Sequence, residues 1–173
     1  MSDKVNVELF SLTYGSLVRA IVKETNNIDD ANTKLAKIGE NMGDRITDDI
    51  IVNLPDKTKL NSLKGVCNML VNHAFKEYLG ISAEIKESSE RRIVISLLDN
   101  PITHYVSIPP EYDGLIYLKP LLGLLKKMLE ELHFSTEVNL LHDRLTSSET
   151  TNDIEIKLIE VLTDTLPAGE YIN

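Results

Sequence analysis

Cysteine is almost absent from this sequence of 173 residues, which contains a single one, Cys67. One cysteine excludes an internal disulfide and any zinc site built mainly from cysteine ligands, and it is typical of a reducing compartment. Basic residues are also few, since 18 Lys and Arg face 27 Asp and Glu, for a net charge of −9. This acidic balance argues against general nucleic-acid binding, which needs a basic face.

Long apolar runs are missing as well. The most apolar tract, residues 115–125, is interrupted by Lys119 and Pro120, and it is shorter than the ~20 residues that cross a bilayer. Residues 1–9 include Asp3, Lys4 and Glu8 and have no apolar core of the kind found in signal peptides. We therefore expect a soluble, cytoplasmic protein that meets membranes only peripherally.

The first half of the chain has the apolar spacing of helices. A stripe that begins at Phe10 and recurs every three or four residues to Ile21 predicts a first helix, with Asn6 as its N-cap. A second helix is expected to end before Pro55, because proline disfavours a helical residue in front of it. A third helix shows the most regular period and is expected to end at Gly80.

Beyond Gly80 the period changes from 3.6 to 2, which is typical of strands. The pattern predicts strands at 83–86, 91–98, 135–143 and 153–161 and a fourth helix at 117–132. The order ααα-ββ-α-ββ favours an α+β fold with four helices packed on a small antiparallel sheet. We expect one domain over residues 1–173, with its core at about 6–163 and a flexible tail at 164–173.

The residue types that carry chemistry do not cluster in the sequence. None of the four histidines is spaced with another histidine or with cysteine as metal ligands are. Cys67 lies within the apolar stripe of the third helix, which indicates a buried small hydrophobe. We therefore expect no catalytic residue, metal or cofactor. Gly39 and Gly43, four residues apart, indicate the close approach of another helix.

Several short segments, in the same order along the chain, carry a resemblance to a known family. They are residues 8–18 (ELFSLTYGSLV), 37–45 (KIGENMGDR), 74–81 (AFKEYLGI), the pair Asn100-Pro101, residues 115–117, Gly123 and residues 166–170 (LPAGE). Together they resemble the subunit-three, or Bet-three, family of the trafficking protein particle (TRAPP) complex. The resemblance extends over residues 6–170.

The resemblance implies a non-enzymatic core subunit of a vesicle-tethering complex in endoplasmic reticulum to Golgi transport. Such a subunit lies peripherally on those membranes and contributes to nucleotide exchange on a Rab-type GTPase. Its partners would be other TRAPP subunits, in homodimers or heterodimers that form through the first two helices. The candidate interface residues are Phe10, Tyr14, Leu17, Gly39 and Met42.

Members of this family have an apolar tunnel that can hold an acyl chain attached to a cysteine before the third helix. Counting back from Ala74 in the matching segment places that position at Leu60, so acylation there is excluded. Cys67 lies seven residues further on and is not the equivalent. We expect a tunnel at Leu60, Cys67 and Ala74 that holds at most a non-covalent acyl chain.

Two further surfaces follow from the resemblance. Lys59 and Lys76 match a basic, membrane-facing surface, and Lys57 belongs to the same cluster of lysines in the sequence, although composition alone favours a solvated helix face. The tail of the family's subunit reaches the GTPase near its nucleotide pocket. In this chain the matching tail residues are Leu166, Pro167, Ala168, Gly169 and Glu170.

Two other classes of function stay open on the residues alone. The chain could be a stand-alone carrier of a fatty acyl chain or another apolar ligand, which requires an occupied cavity and a stable monomer. It could also be a small-molecule enzyme of related fold, which requires titratable groups that line a cavity. The scattered histidines and the single cysteine argue against the enzyme.

Overall fold

The computed structural model describes residues 5–54, 59–147 and 150–163. It contains four helices and four strands in the predicted order, with two short 3₁₀ turns between β2 and α4. The helices are α1 (Val7–Glu24), α2 (Ile28–Asn53), α3 (Leu63–Met69, continued by a π-helical segment, Leu70–Leu79) and α4 (Lys119–Glu131). The strands are β1 (Ser82–Ser88), β2 (Arg92–Leu98), β3 (Phe134–His142) and β4 (Asn152–Val161). The predicted α+β fold is therefore confirmed.

All strand pairs in the sheet are antiparallel, in the order β1-β2-β4-β3. The register places Ile95 opposite Ile154 and Val138 opposite Ile156, so alternate apolar residues share the inner face. The α3–π segment and α4 pack on that face and form the main core with it. This burial of one apolar sheet face drives the two layers together.

The remaining helices lie further from the sheet. Helix α2 packs along α4, and α1 is the outermost helix, held by α2 and by the 3₁₀ turn at Pro101–Thr103. A second, smaller core lies between these elements and includes Val18 of α1, Leu35 of α2 and Tyr117. Because α1 has few neighbours in the described part of the chain, most of its surface is open.

The helix ends follow the predicted capping chemistry. The side chain of Asn6 accepts hydrogen bonds from the backbone N–H groups of Glu8 and Leu9, at 2.8 and 3.2 Å. These bonds satisfy two donors that a helix N-terminus leaves without partners. At the other end of the helical half, Gly80 has φ of 67°, a left-handed conformation that glycine adopts without steric cost.

The third helix differs from the prediction of a continuous α-helix. From Leu70 to Leu79 it widens, and hydrogen bonds then reach back five residues, as from the Gly80 N–H to the Phe75 carbonyl. The spacing of apolar residues does not distinguish an α-helix from a π-helix here, because Leu70, Ala74 and Phe75 fall on the buried side of the helix in both. π-helical segments are rare in proteins and are often found at functional sites.

Candidate functional site

Gly39 and Gly43 permit the close approach of a helix, as their spacing predicts, and that helix is α4 of the same chain. A Cβ on Gly39 would stand 1.9 Å from the Pro120 carbonyl oxygen, and a Cβ on Gly43 would stand 2.8 Å from that of Leu124. Gly39 is buried by this contact. This contact within the chain accounts for the glycine spacing, and a part for Gly39 in a dimer interface stays a prediction.

The other predicted interface residues lie at or near the surface. Phe10 and Leu17 of α1 are each 37% exposed, and Met42 of α2 is 44% exposed. Tyr14 is half-buried, with its ring 6.4 Å from that of Phe10 and 5.2 Å from that of Tyr117. Partly exposed apolar side chains on two adjacent helices are what a helix-mediated interface requires.

Two tyrosines anchor α1 to the rest of the fold. The Tyr14 hydroxyl donates a hydrogen bond of 2.8 Å to the backbone carbonyl of Tyr117. Burial, and then the nearby Tyr117 phenol, raises the pKa of Tyr14 well above its ordinary value, so the phenol stays protonated. The Tyr117 hydroxyl is buried and has no hydrogen-bond partner within residues 5–54, 59–147 and 150–163. The sequence pattern does not predict this contact, because it joins residues about a hundred positions apart.

The three residues expected along a tunnel lie on and around α3. Cys67 is fully buried, and burial raises the pKa of its thiol to about 12. A thiol that is both inaccessible and protonated is a poor nucleophile, which agrees with the prediction of a structural cysteine. Leu60 is half-buried and packs against the main core, and Ala74 is buried in the π-helical segment.

An open cleft of about 880 Å³ lies between the end of α2 and the π-helical segment. Three of its lining residues are apolar: Ile50, Leu54 and Ala74. The other lining residues are polar or charged: Asp49, Asn53, Asn72, His73, Lys76, Glu77 and Tyr78. Ala74 thus borders an open cleft with a largely polar lining. An apolar cavity beside it stays a prediction.

The predicted basic surface is only partly described. Lys59 and Lys76 are exposed, whereas Lys57 lies outside the described residues. Lys76 shares the cleft with two carboxylates, those of Asp49 and Glu77, and the Asp49 carboxylate accepts a hydrogen bond from the Tyr78 hydroxyl. The charge around Lys76 is therefore mixed rather than uniformly basic.

A polar cluster that the sequence pattern does not predict lies on the outer face of the sheet. Asp153 of β4 is 4% exposed and bonds Lys86 Nζ of β1 at 2.8 Å, Ser96 Oγ of β2 at 2.7 Å and His142 Nδ1 of β3 at 3.0 Å. Burial alone would raise the pKa of Asp153, but these three hydrogen bonds outweigh it and lower the pKa to about 2. One carboxylate therefore joins all four strands. No sequence pattern signals this cluster, because it depends on strand register.

A second carboxylate on that face repeats the arrangement. Glu155 bonds Arg92 Nε at 2.5 Å and Lys157 Nζ at 2.9 Å, and Arg92 also pairs with Glu87. Hydrogen bonds from Arg92 and Lys157 lower the pKa of Glu155. These groups are paired with one another, so the outer face of the sheet stabilises the fold and offers no unpaired charge at Glu155.

Within residues 5–54, 59–147 and 150–163, no group of His, Cys, Asp and Glu side chains has the geometry of a metal site. Likewise, no described helix has the length and apolar character needed to span a membrane. The tail, Leu166 to Glu170, lies outside the described residues.

The helices packed on one face of a four-stranded antiparallel sheet define an α+β domain. The family model for the transport protein particle (TRAPP) component matches residues 10–158, and the chain belongs to this family. It is 33% identical to the trafficking protein particle complex subunit 3 homolog of Caenorhabditis briggsae, over 98% of this chain and 93% of that protein. It is 31% identical to the BET3 subunit of Saccharomyces cerevisiae, over 98% of this chain and 89% of that protein.

A solved structure shares the whole architecture. It is the trafficking protein particle complex subunit 3 from Naegleria fowleri, covalently bound to palmitic acid. The two chains superpose with a TM-score of 0.84 and 27% identity, over 94% of this chain and 100% of that one.

Proposed function

We propose that this chain is a core subunit of a vesicle-tethering complex in endoplasmic reticulum to Golgi transport. In that complex it contributes to nucleotide exchange on a Rab-type GTPase and is not itself an enzyme. The observation that carries the proposal is the match to subunit 3 of the trafficking complex over 98% of this chain. A relative that matches only part of a chain supports a shared domain and no more. A relative that matches nearly the full length supports the same role in the same kind of complex.

The surface of the helical layer supports this role. Phe10, Leu17 and Met42 leave apolar area exposed on α1 and α2, and a subunit that functions inside a complex needs such area for its partners. We propose that these residues, with Tyr14, contact another TRAPP subunit or a second copy. The proposed place of action is the cytoplasmic surface of Golgi and endoplasmic reticulum membranes.

Reconstitution tests the role directly. The chain is co-expressed with the other subunits of the complex from the same organism, and the assembly is purified through a tag on a different subunit. We expect this chain to co-purify in stoichiometric amount and its omission to slow nucleotide release from the GTPase. An assembly that forms and exchanges nucleotide equally well without the chain contradicts the proposal.

Membrane contact through Lys57, Lys59 and Lys76 is the second part of the proposal. Each basic group near an anionic surface contributes about 1 kcal/mol to binding, so a Lys59→Glu, Lys76→Glu double variant should bind anionic vesicles more weakly. Neutral vesicles provide the control, because they bind both proteins equally if charge is the cause. Equal binding of both proteins to anionic vesicles would remove these lysines from the proposal.

The tail is proposed to act on the GTPase. Glu170 would bring a carboxylate towards the bound nucleotide, where repulsion between like charges disfavours the phosphates. The support for this assignment is the match of residues 166–170 to the terminal segment of the family.

A stand-alone acyl carrier is the second candidate function. It is supported by the cleft beside Ala74 and by the Naegleria fowleri relative that binds palmitic acid covalently. A carrier should elute as a monomer and release a fatty acid on extraction, whereas a tethering subunit should elute as a pair. Elution volume combined with mass spectrometry of extracted lipid separates the two functions.

A further inference from the structure

The connection between β2 and α4 exposes two adjacent prolines. Residues 109–112 have the sequence Pro-Pro-Glu-Tyr, and Pro109, Pro110 and Glu111 are all exposed. Because both proline rings face solvent, they contribute little to the core of this chain. Rigid apolar rings on a surface are what the aromatic grooves of proline-binding domains recognise.

The backbone of this segment has the form that such grooves bind. Pro109 has φ of −61° and ψ of 149°, close to the angles of polyproline II, about −75° and 145°. Pro110–Tyr112 then form a 3₁₀ turn, in which the Tyr112 N–H donates a 2.9 Å hydrogen bond to the Pro109 carbonyl. A turn closed in this way brings the Cα atoms of Pro109 and Tyr112 within about 7 Å of each other. The prolines and the tyrosine are therefore neighbours.

A second turn and one side chain hold the segment in place. The Leu115 N–H donates a 3.0 Å hydrogen bond to the Tyr112 carbonyl, and Gly114 has the positive φ, 84°, that a type II turn requires at its third position. The Asn32 side chain of α2 donates to the Gly114 carbonyl at 3.0 Å and accepts from the Ile116 N–H at 2.9 Å. The segment is thus ordered before a partner binds, which lowers the entropic cost of binding.

Tyr112 lies between the core and the solvent. Its ring packs against the second core, which includes Leu115 and Tyr117, but the residue is only partly buried. Its hydroxyl makes no hydrogen bond to another residue in the described parts of the chain and is not enclosed. The exposed part of Tyr112 is therefore available to a partner that covers the prolines.

The charge of this connection has one sign. No Lys or Arg occurs between Arg92 and Lys119. Glu111 and Asp113, on either side of Tyr112, are both exposed. Complementary charge across an interface favours the correct partner, so this segment favours a groove with basic residues around it.

We infer that residues 109–112 bind a WW-type domain, a small module whose groove stacks proline against aromatic side chains and holds a tyrosine beside it. The order proline, proline, any residue, tyrosine selects this class. SH3 domains also bind polyproline II, but they read two prolines three positions apart, and no proline lies three positions from Pro109 or Pro110. The inference does not depend on the proposed function, because this partner lies outside the tethering complex.

The absence of tryptophan from this chain provides a direct measurement. The sequence contains none, so the tryptophan emission of a WW domain reports contact at its groove without background. A purified WW domain that binds Pro-Pro-x-Tyr sequences is titrated with the full-length protein, and we expect a saturable change in emission. Pro110→Ala should bind about tenfold more weakly. Ser107→Ala, at an exposed position in the same connection, should bind as wild type does.

Two tyrosines provide a second matched pair. Tyr112→Phe keeps the ring that packs on the core and removes only the hydroxyl, so the fold should be retained. The loss of one hydrogen bond to the partner should weaken binding about fivefold. Tyr105→Phe, at a 64% exposed tyrosine outside residues 109–112, should leave binding unchanged. Thermal unfolding confirms that each variant is folded.

A free peptide of residues 107–115 separates the sequence from its presentation by the fold. The peptide should bind the WW domain and displace the protein. Binding of the peptide but not of the folded protein overturns the inference, because the segment would then be inaccessible, and so does the absence of binding by both. Equal affinity for wild type, Pro110→Ala and Tyr112→Phe overturns it as well, as does binding to an SH3 domain instead. Co-purification with the trafficking subunits tests the proposed function separately.

Discussion

Gly39 of α2 lies against the backbone of Pro120 in α4, so closely that a Cβ on Gly39 would stand 1.9 Å from the Pro120 carbonyl oxygen. Gly123 of α4 lies equally close to α2, since a Cβ on Gly123 would stand 2.2 Å from the carbonyl oxygen of Ala36. Both obstacles are backbone atoms, which cannot rotate away as a side chain can. The two glycines thus set the distance between α2 and α4.

Gly39→Ala should destabilise the fold by about 1–3 kcal/mol or more, because overpacking forces the two backbones apart. The gain in helix propensity, roughly 1 kcal/mol, offsets only part of this cost. Urea unfolding measures the change. Gly15→Ala is the control, since a Cβ on Gly15 would stand 3.2 Å from the Tyr117 hydroxyl, a side-chain atom that needs to shift by only a few tenths of an ångström, and it should destabilise the fold less than Gly39→Ala. Equal stability of both variants would contradict the packing argument.

Asp153 should make stability depend on pH in the acid range. Its pKa is lowered to about 2 in the folded protein. The ionised carboxylate therefore contributes about 2 kcal/mol to the free energy of unfolding above pH ~4, and this contribution is lost as the pH falls towards ~2. Denaturant unfolding at a series of pH values should show that the free energy of unfolding falls more steeply with acid for wild type than for Asp153→Asn.

Asp113→Asn, at an exposed carboxylate, is the matched control for that pH series. Its free energy of unfolding should depend on pH as that of wild type does. If Asp153→Asn shows the same pH dependence as wild type, then the hydrogen bonds of the Asp153 carboxylate do not stabilise the sheet.

Leu17→Ser should weaken both association and, to a measurable extent, the fold. Leu17 is 37% exposed in the single chain, so the area that remains exposed is available to a partner, whereas the buried part already stabilises the chain itself. Sedimentation velocity and thermal unfolding report the two effects separately. Ile159→Ser, at a 55% exposed position on β4, should leave association unchanged. A fall in association for both variants alike would argue against a specific α1 interface.

The intact protein should carry no thioester-linked acyl chain. The only thiol is that of Cys67, which is buried and has a pKa raised to about 12. Intact mass before and after hydroxylamine should therefore be identical. A hydroxylamine-sensitive adduct would mean that Cys67 becomes accessible.

Ala74→Leu should reduce any non-covalent uptake of fatty acid at the cleft that Ala74 lines. The larger side chain should also cost about 1–3 kcal/mol of stability by overpacking. Lipid extraction with mass spectrometry compares uptake by the variant and by wild type. Undiminished uptake would place the apolar ligand elsewhere.

Truncation after Asp164 should leave folding and dimerisation intact, because the cores of the described structure lie before it. In the reconstituted complex, the same truncation should slow nucleotide release from the GTPase. Substituting Glu170→Gln in the full-length chain isolates the effect of the carboxylate. Unchanged exchange rates for both proteins would remove the tail from the mechanism.

Local chemistry explains why so much of the fold could be predicted. The 3.6-residue stripe of α1, the Asn6 cap, the end of α2 before Pro55 and the alternation in β4 each depend on neighbours within a few residues. The buried state of Cys67 followed from its position in an apolar stripe. The family resemblance was confirmed by the family match over residues 10–158 and by relatives that align along nearly the whole chain.

Long-range contacts account for what the sequence pattern missed. The spacing of Gly39 and Gly43 determined that a helix would approach closely, but only the tertiary structure decided that the helix is α4 of the same chain. The same holds for Asp153, whose partners come from three other strands, and for Tyr14 with Tyr117. The spacing of apolar residues indicates which side of a helix or strand is buried. Which residues pack against that side depends on how segments distant in the sequence come together.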